Sequence, residues 1–526
     1  MEHLELIIFG LLVGVAAFAV LARVVGVPYP ILLVVGGIAL GFLPGIPDVE
    51  FPPELVLTIF LPPLLYGAAI FTSLRDLRAD LRPISLNSIG GVAVTMLGVA
   101  AVGHFVVGLA WPVAFVLGAI VSPTDPVAPA TVLREVRAPR RLLTVIEGES
   151  LTNDWTALVL YRFAVAAVVT GSFSLWEAGG RFLLTGIGGL VVGLVVARLI
   201  REVRRRIDDP PTEITISLLS GYAAYLPAEE LGVSGVVAAV TAGIYIGWYA
   251  PEITTPLVRI QSGSVWEVLT FLLNAVLFLL IGLQLPGVVD DLSGESIGEL
   301  VGWALAVSAA VIAIRFTWIW ASTVAIRALD RRESQRARRT SWRFRTVFGW
   351  SGMRGAVSLA AALAIPLETD AGAAFPGRDL VIFVTLAVIV VTLVGQGLTL
   401  KPLTVRLGLE DDGSGEREEV LGRVSAAEAA LERLDALQHE DWVYPDTIER
   451  VRAMFDYRRR RFTARIDGAG GDGYEARSSA YQRVLREVAA AQRERLLELR
   501  NERRISDDVR RAVERDLDYE ESRLEE

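Results

Sequence analysis

Residues Ser122–Tyr161 read SPTDPVAPATVLREVRAPRRLLTVIEGESLTNDWTALVLY. Five acidic side chains, Asp125, Glu135, Glu147, Glu149 and Asp154, stand there in hydrophobic sequence long enough to lie largely inside a lipid bilayer. A charge at the bilayer centre costs at least ~2.5–3.5 kcal/mol, so a chain keeps one there only when it faces a cavity, pairs or works. Pro123, Pro126 and Pro129 recur at every third residue. Each lacks an N–H and clashes with the preceding helical turn, so the helix is expected to break around Thr124 and Asp125. Unwound backbone is tolerated at membrane depth only where it lines protein or water, and its freed carbonyls can then coordinate a cation beside the Asp125 carboxylate.

The next segment, about Arg141 to Thr170, carries no comparable break and predicts one helix. On it Glu149, Ser150, Asn153 and Asp154 stand at i, i+1, i+4 and i+5 and share a face, while Val145, Leu151, Leu158 and Val159 lie largely away from it. Asp154 falls near mid-span. The polar face of this helix and the broken point of the other are expected to meet, gathering Asp154, Asp125, the Ser150 and Thr124 hydroxyls and the Asn153 amide.

Working outward, 526 residues of 52% hydrophobic composition with mean hydropathy +0.47 place the chain among polytopic membrane proteins. Met1 to Glu5 is acidic and the first apolar run continues into a multi-span pattern, so no cleaved leader is expected. The absence of cysteine excludes disulfides, thiolate metal sites and thiol catalysis, and three histidines argue against a histidine-built zinc site.

Runs of about 20 apolar residues suit a membrane-spanning helix. Thirteen are legible, centred near Val15, Ile38, Leu64, Met96, Leu117, Trp155, Leu190, Leu218, Val240, Leu273, Val311, Val357 and Thr392. Alternate connections are basic: Arg23, Arg75 to Arg82, Arg134 to Arg141, Arg201 to Arg206, Arg259, and Arg327 to Arg345. The intervening ones are short or acidic, as at Asp48 and Glu50, Glu229 and Glu230, and the run Asp290, Asp291, Glu295, Glu299. Cytoplasmic loops collect Lys and Arg, which puts the N-terminus outside and the C-terminus inside a cell (plasma) membrane crossed many times.

Residues 409–526 change character, with Glu/Arg-rich helical patterns at Ser425 to Leu437, Thr447 to Ile466 and Tyr474 to Glu526 around a Gly-rich turn at Gly468 to Gly473. This predicts a cytoplasmic helical domain, either regulatory or dimer-forming, or else a solvated appendage. Arg315 lies in the apolar run Ala304 to Val324 and either pairs with Glu149 or snorkels from a membrane end. Gly349-Trp-Ser-Gly-Met-Arg-Gly355, with Gly352, Arg354 and Gly355, reads as a second broken helix and a pointer to an inverted repeat, or as a membrane-edge turn with an ordinary cytoplasmic arginine.

Over roughly residues 5 to 408 the chain resembles the cation/proton antiporter-1 family, the sodium/proton exchangers of the NhaP and NHE type. The resemblance is carried by SPTDPVA at 122–128, EGESLTND at 147–154, the intramembrane Arg315, GWSGMRGAVSL at 349–359 and VGQGLTLKPL at 394–403, in order. It implies an all-α, NhaA-like fold of thirteen helices in two inverted repeats, with two broken crossing helices supported by Pro123, Pro126, Gly352, Arg354 and Gly355. A transmembrane antiporter domain would span 1–408, its core of helices 4 to 6 and 11 to 13 moving against a dimerising scaffold. Asp154 would bind the transported ion, with Asp125, Thr124 and Ser150 as further sodium ligands, and Glu149 and Arg315 would form a structural ion pair. One departure stands out. Many members carry a carboxylate after the PPLL motif of the third helix, where this chain has Gly67 in LPPLLYG, which weakens any inference about ion preference.

Burial penalises the charged form of a carboxylate and a bound cation favours it, so one such site holds a proton or a sodium ion but not both. If only the occupied forms cross, exchange is obligatory. One neutralising charge each way, with Asn153 where electrogenic relatives place a second aspartate, suggests electroneutral 1:1 exchange of Na+ or Li+ for H+, with Asn153 orienting Asp154. Potassium/proton exchange is the main alternative, since both ions take the same oxygen ligands, and a passive cation channel a lesser one. The Gly-x-Gly-Asp pattern of an intramembrane aspartyl protease is absent around Asp125 and Asp154. No enzyme activity, cofactor or nucleic-acid partner is expected; the partners expected are monovalent cations, protons, the bilayer and a second copy.

Overall fold

The computed structural model describes residues 4–43, 53–171, 175–292, 294–329, 339–411, 413–466 and 474–522. Among them every extended element is a helix, and the one β-type contact is an isolated bridge between Glu368 and Ala374. The chain divides into two compact units, Met1–Asp411 and Asp412–Glu526.

In the first unit each of the thirteen expected centres lies in a helix, but the helices are unequal. Six among the described residues are long and apolar enough to cross a membrane unaided: Leu81–Phe105, Gly179–Arg204, Gly235–Ile253, Pro256–Val289, Ile297–Ala328 and Arg378–Arg406. The others are short, such as Tyr29–Gly41; polar, such as Arg140–Thr170; or interrupted, as at Trp111–Ile120 followed by Val127–Glu135. Several of the short and interrupted ones pack against the long ones, whereas Phe9–Val25 leaves much of its surface exposed. Tyr29–Gly41 packs along Pro256–Asp291 because Gly37 and Gly282 let the two backbones touch: a Cβ on Gly37 would strike the Leu279 carbonyl and one on Gly282 the Val34 carbonyl. In lipid, where apolar side chains gain little by leaving the solvent, such close backbone approach is a main source of helix association. Gly189 and Gly193 seat the Leu175–Arg204 helix against Gly235–Ile253 in the same way.

Two helices contain π-helical stretches, Leu86–Gly91 within Leu81–Phe105 and Val391–Gln396 within Arg378–Arg406. The second is part of the site described below.

The second unit consists of Ser414–Leu437, Pro445–Ile466, Tyr474–Asn501 and Asp507–Ser522. Val420, Ala427, Leu431 and Leu434 are buried at i, i+7, i+11 and i+14, the stripe a helix shows to a neighbour. The single helix expected from Tyr474 to Glu526 is two helices. Arg503 turns the chain with a left-handed φ of 59°, and the Val509 amide donates to Ser506 Oγ at 3.3 Å to start the last helix. Asp507 and Asp508 in its first turn oppose the helix dipole favourably. The expected turn at Gly468 to Gly473 lies outside the described residues.

Candidate functional site

The first break runs from the end of Trp111–Ile120 to the start of Val127–Glu135, and the second from the end of Trp342–Trp350 to the start of Ala356–Leu363. The two unwound segments are joined to each other: the Asp125 amide donates to the Met353 carbonyl at 2.8 Å. Two half-helix C-termini and two N-termini therefore meet, each with unsatisfied backbone groups and a partial charge. Arg354, 1% exposed, serves the negative ends. Its Nε donates to the Val121 carbonyl at 2.8 Å, its Nη1 donates to the Gly352 carbonyl, and its amide donates to Thr392 Oγ1 at 3.2 Å. Thr392 belongs to the second π-helical stretch, which carries it beneath the break. At a positive end, Asp125 Oδ1 accepts from the Val127 amide at 2.9 Å.

The prolines and glycines act through space as well as through backbone. A Cβ on Gly355 would collide with the Asp125 carboxylate, and one on Gly352 with the Arg315 side chain. Pro123 and Pro126 bracket Thr124 and Asp125 in the break. The membrane-edge reading of Gly349–Gly355 is thus corrected, because Arg354 is enclosed and bonded to the opposite break. The expectation that freed carbonyls stand open to a cation is also corrected in part. Val121, Gly352, Met353 and Thr124 each already accept a protein donor.

The helix Arg140–Thr170 passes alongside, with Glu149, Ser150, Asn153 and Asp154 all buried. Arg315 Nη1 donates to Glu149 Oε1 at 2.7 Å and Nη2 to Oε2 at 3.2 Å, with Glu149 3% and Arg315 9% exposed. Thr124 Oγ1 donates to Glu149 Oε1 at 3.3 Å, and the Asn153 amide donates to Thr124 Oγ1 at 2.9 Å and to the Thr124 carbonyl at 3.3 Å. Asn153 therefore orients the broken segment; the expected bond from Asn153 to Asp154 is not made. The snorkelling alternative for Arg315 is excluded by this geometry.

Asp154 is different from its neighbours. It is 7% exposed, and among the described residues it makes no ion pair or hydrogen bond. With Thr124, Asp125, Ser150, Pro123 and Pro126 it lines a cavity of about 660 Å³. Asn153 and Glu149 lie behind that wall, holding Thr124. Other lining residues escaped sequence reasoning: Tyr29, Glu267, Thr270, Asn274 and Ser358. Asn274, a polar residue in mid-span, was the visible signal among them. Ser358 is 1% exposed and its hydroxyl has no partner among the described residues. Gly67 also lines the cavity, and a Cβ there would come within 2.9 Å of the Trp266 ring. The indole occupies the space that a longer side chain at 67 would need.

Helices long and apolar enough to cross a membrane, two interrupted helices joined at their breaks and a buried carboxylate without a partner among the described residues meet at this cavity. The sodium/hydrogen exchanger transmembrane family profile matches residues 8–406. An uncharacterized Na(+)/H(+) exchanger of Mycobacterium tuberculosis is 39% identical over 98% of this chain and 97% of its own length. The Na(+)/H(+) antiporter ApNhaP of Aphanothece halophytica is 35% identical over 83% of this chain and 81% of its own. The structure of the sodium proton antiporter MjNhaP1 from Methanocaldococcus jannaschii superposes with a TM-score of 0.61 at 20% identity, covering 77% of this chain and 99% of that one. The chain belongs to the sodium/hydrogen exchanger family.

Proposed function

We propose that the protein exchanges Na+ or Li+ for H+ across the plasma membrane, electroneutrally and 1:1, with ion and proton competing for Asp154. The observation that carries this reading is the charge count at the two joined breaks. Asp125, Asp154 and Glu149 stand there with two guanidiniums, of which Arg315 is paired with Glu149 and Arg354 is bonded to backbone carbonyls. Three carboxylates against two cations leave one negative charge, which a single monovalent cation or a single proton neutralises. Asp154 is the group that receives it, because Glu149 is committed to Arg315 and Asp125 to the Val127 amide. An empty charged site is costly to carry through the bilayer and either occupied form is not, so the two fluxes are coupled. Asp125, Ser150 and Thr124 supply further oxygen ligands of the kind a hard cation takes.

The broken pairs and the helix packing support alternating access in which the crossed core moves against the rest, within thirteen spans arranged as two inverted repeats. The N-terminus is outside, and the unit beyond Asp411 is a cytoplasmic, regulatory domain. The cavity includes Arg134, so by the placement of basic loops it opens inward. The working form is a homodimer, and no resident cofactor takes part. K+/H+ exchange is the second reading, since the oxygen ligands suit either ion; a passive channel would require no neutralisation step.

The test is proton movement in proteoliposomes carrying a pH gradient, on adding sodium, lithium or potassium, for the wild type and Asp154→Asn. Dissipation by sodium or lithium, insensitive to a valinomycin-clamped potential and lost in the variant, is expected. A response confined to potassium selects the second reading. Equal activity in both proteins would overturn the assignment of Asp154.

A further inference from the structure

The cavity has a second wall, contributed by the helix Pro256–Asp291. Gly263, Glu267, Thr270, Asn274 and Leu277 line it at i, i+4, i+7, i+11 and i+14, one continuous stripe of that helix. Leu277 lies at the apolar closed end with Ala360, Phe60 and Leu64 packed about it. Glu267 lies seven residues from Asn274, about 10 Å along the axis toward the basic Arg259 end. Glu147 holds the same relation to Asp154 on the opposite wall, seven residues away. The two acids differ in one respect. Glu147 is paired with Arg134 at 2.6 Å, whereas Glu267 is exposed and makes no ion pair or hydrogen bond among the described residues.

An unpaired carboxylate on a largely apolar wall needs a reason for its direction. Trp266, its neighbour, is 1% exposed; its Nε1 donates to Ser217 Oγ at 3.1 Å, and its ring stands 5.7 Å from that of Tyr66. Trp266 and Glu267 both form part of the cavity wall; successive helical residues point about 100° apart, so the fixed indole sets the rotation of the helix and leaves Glu267 on the exposed edge of that wall. We infer that Glu267 is the cation-recruiting residue of this transporter: it concentrates monovalent cations at the cavity mouth ahead of Asp154 without being a ligand of the bound ion. A cleft with low-dielectric walls and one sign of charge raises the local concentration of the opposite sign, and the effect of an exposed charge fades as salt shortens the screening length to about 3 Å at 1 M.

This rests on the exchange reading above, and the experiment separates the two. Sodium-driven proton flux is measured in proteoliposomes for the wild type, Asp154→Asn, Glu267→Gln, Glu267→Arg and Glu267→Asp, at low ionic strength and again with about 0.5 M choline chloride. The half-saturating sodium concentration is expected to rise about threefold for Gln and about tenfold for Arg at low ionic strength. It is expected to return to within about twofold of the wild type in high salt. Asp restores the wild-type value and all three variants keep the maximal rate. A Gln variant equal to the wild type at low salt, a shift that salt does not diminish, or a lost maximal rate would each overturn the role of Glu267 alone. A wild type that fails to exchange, or an active Asp154→Asn, would overturn the underlying reading and this inference with it.

Discussion

Replacing Arg315 by leucine tests the charge arrangement on which the site depends. The guanidinium makes two bonds to Glu149, at 2.7 and 3.2 Å, where both residues are buried. Removing it strands the carboxylate, and breaking a buried pair by deleting one partner costs about 3–5 kcal/mol. The converse variant, Glu149→Leu, strands the guanidinium at similar cost. In the double variant both charges are gone and two apolar side chains face each other, a change that is often near neutral. The remaining loss is the Thr124 Oγ1 bond to Glu149 at 3.3 Å, worth about 1 kcal/mol. The singles should therefore lose about 3–5 kcal/mol each and the double about 1–2, a coupling of several kcal/mol between contacting residues. Thermal unfolding of the purified protein in detergent, read as a drop on the order of 5–10 °C for each single variant and much less for the double, measures this. The same charge logic extends to transport. The double variant leaves the count at one negative charge and should exchange sodium for protons, whereas Arg315→Leu leaves two and should not. Additive destabilisation, or single variants within about 1 kcal/mol of the wild type, would refute the pair as a structural element.

Two further outcomes follow from the same geometry. Gly355→Ala places a methyl group where the Asp125 carboxylate sits, so the half-saturating sodium concentration should rise about tenfold, ~1.4 kcal/mol, in the proteoliposome assay; an unchanged value would remove Asp125 from the site. Because proton and cation compete for one carboxylate, lowering the pH should raise the half-saturating sodium concentration by up to about tenfold per unit while the maximal rate at saturating sodium stays constant. Inhibition by protons that leaves apparent sodium affinity unchanged would reject the single-site scheme.

Much of the site was legible because its signals are local. Three prolines at every third residue leave no way to continue a helix through Thr124 and Asp125, whatever surrounds them. The spacing of Glu149, Ser150, Asn153 and Asp154 sets one helical face by geometry alone. What Arg315 and Arg354 do was not fixed by the sequence, which offered snorkelling from a membrane end as the alternative to a pair for Arg315 and a membrane-edge turn as the alternative to a broken helix for Arg354. Only the fold brings Glu149 within 2.7 Å of Arg315, 166 positions away, and Val121 within 2.8 Å of Arg354, 233 positions away.

The amino-acid sequence by itself determined where helices must stop, which charges are too costly to leave in lipid, and which of them share a helical face. Those follow from backbone sterics and solvation, which act over a few residues. The tertiary structure decided which orphaned groups satisfy one another: that Asn153 serves Thr124 and not Asp154, that Arg354 takes the carbonyls of both breaks, that Trp266 occupies the space beside Gly67, and that the Asp154 side chain lines the cavity with no ion pair or hydrogen bond among the described residues. Each of these depends on distances between segments far apart in the chain. No periodicity encodes such distances, because they are set by how closely glycine-bearing helices can pack.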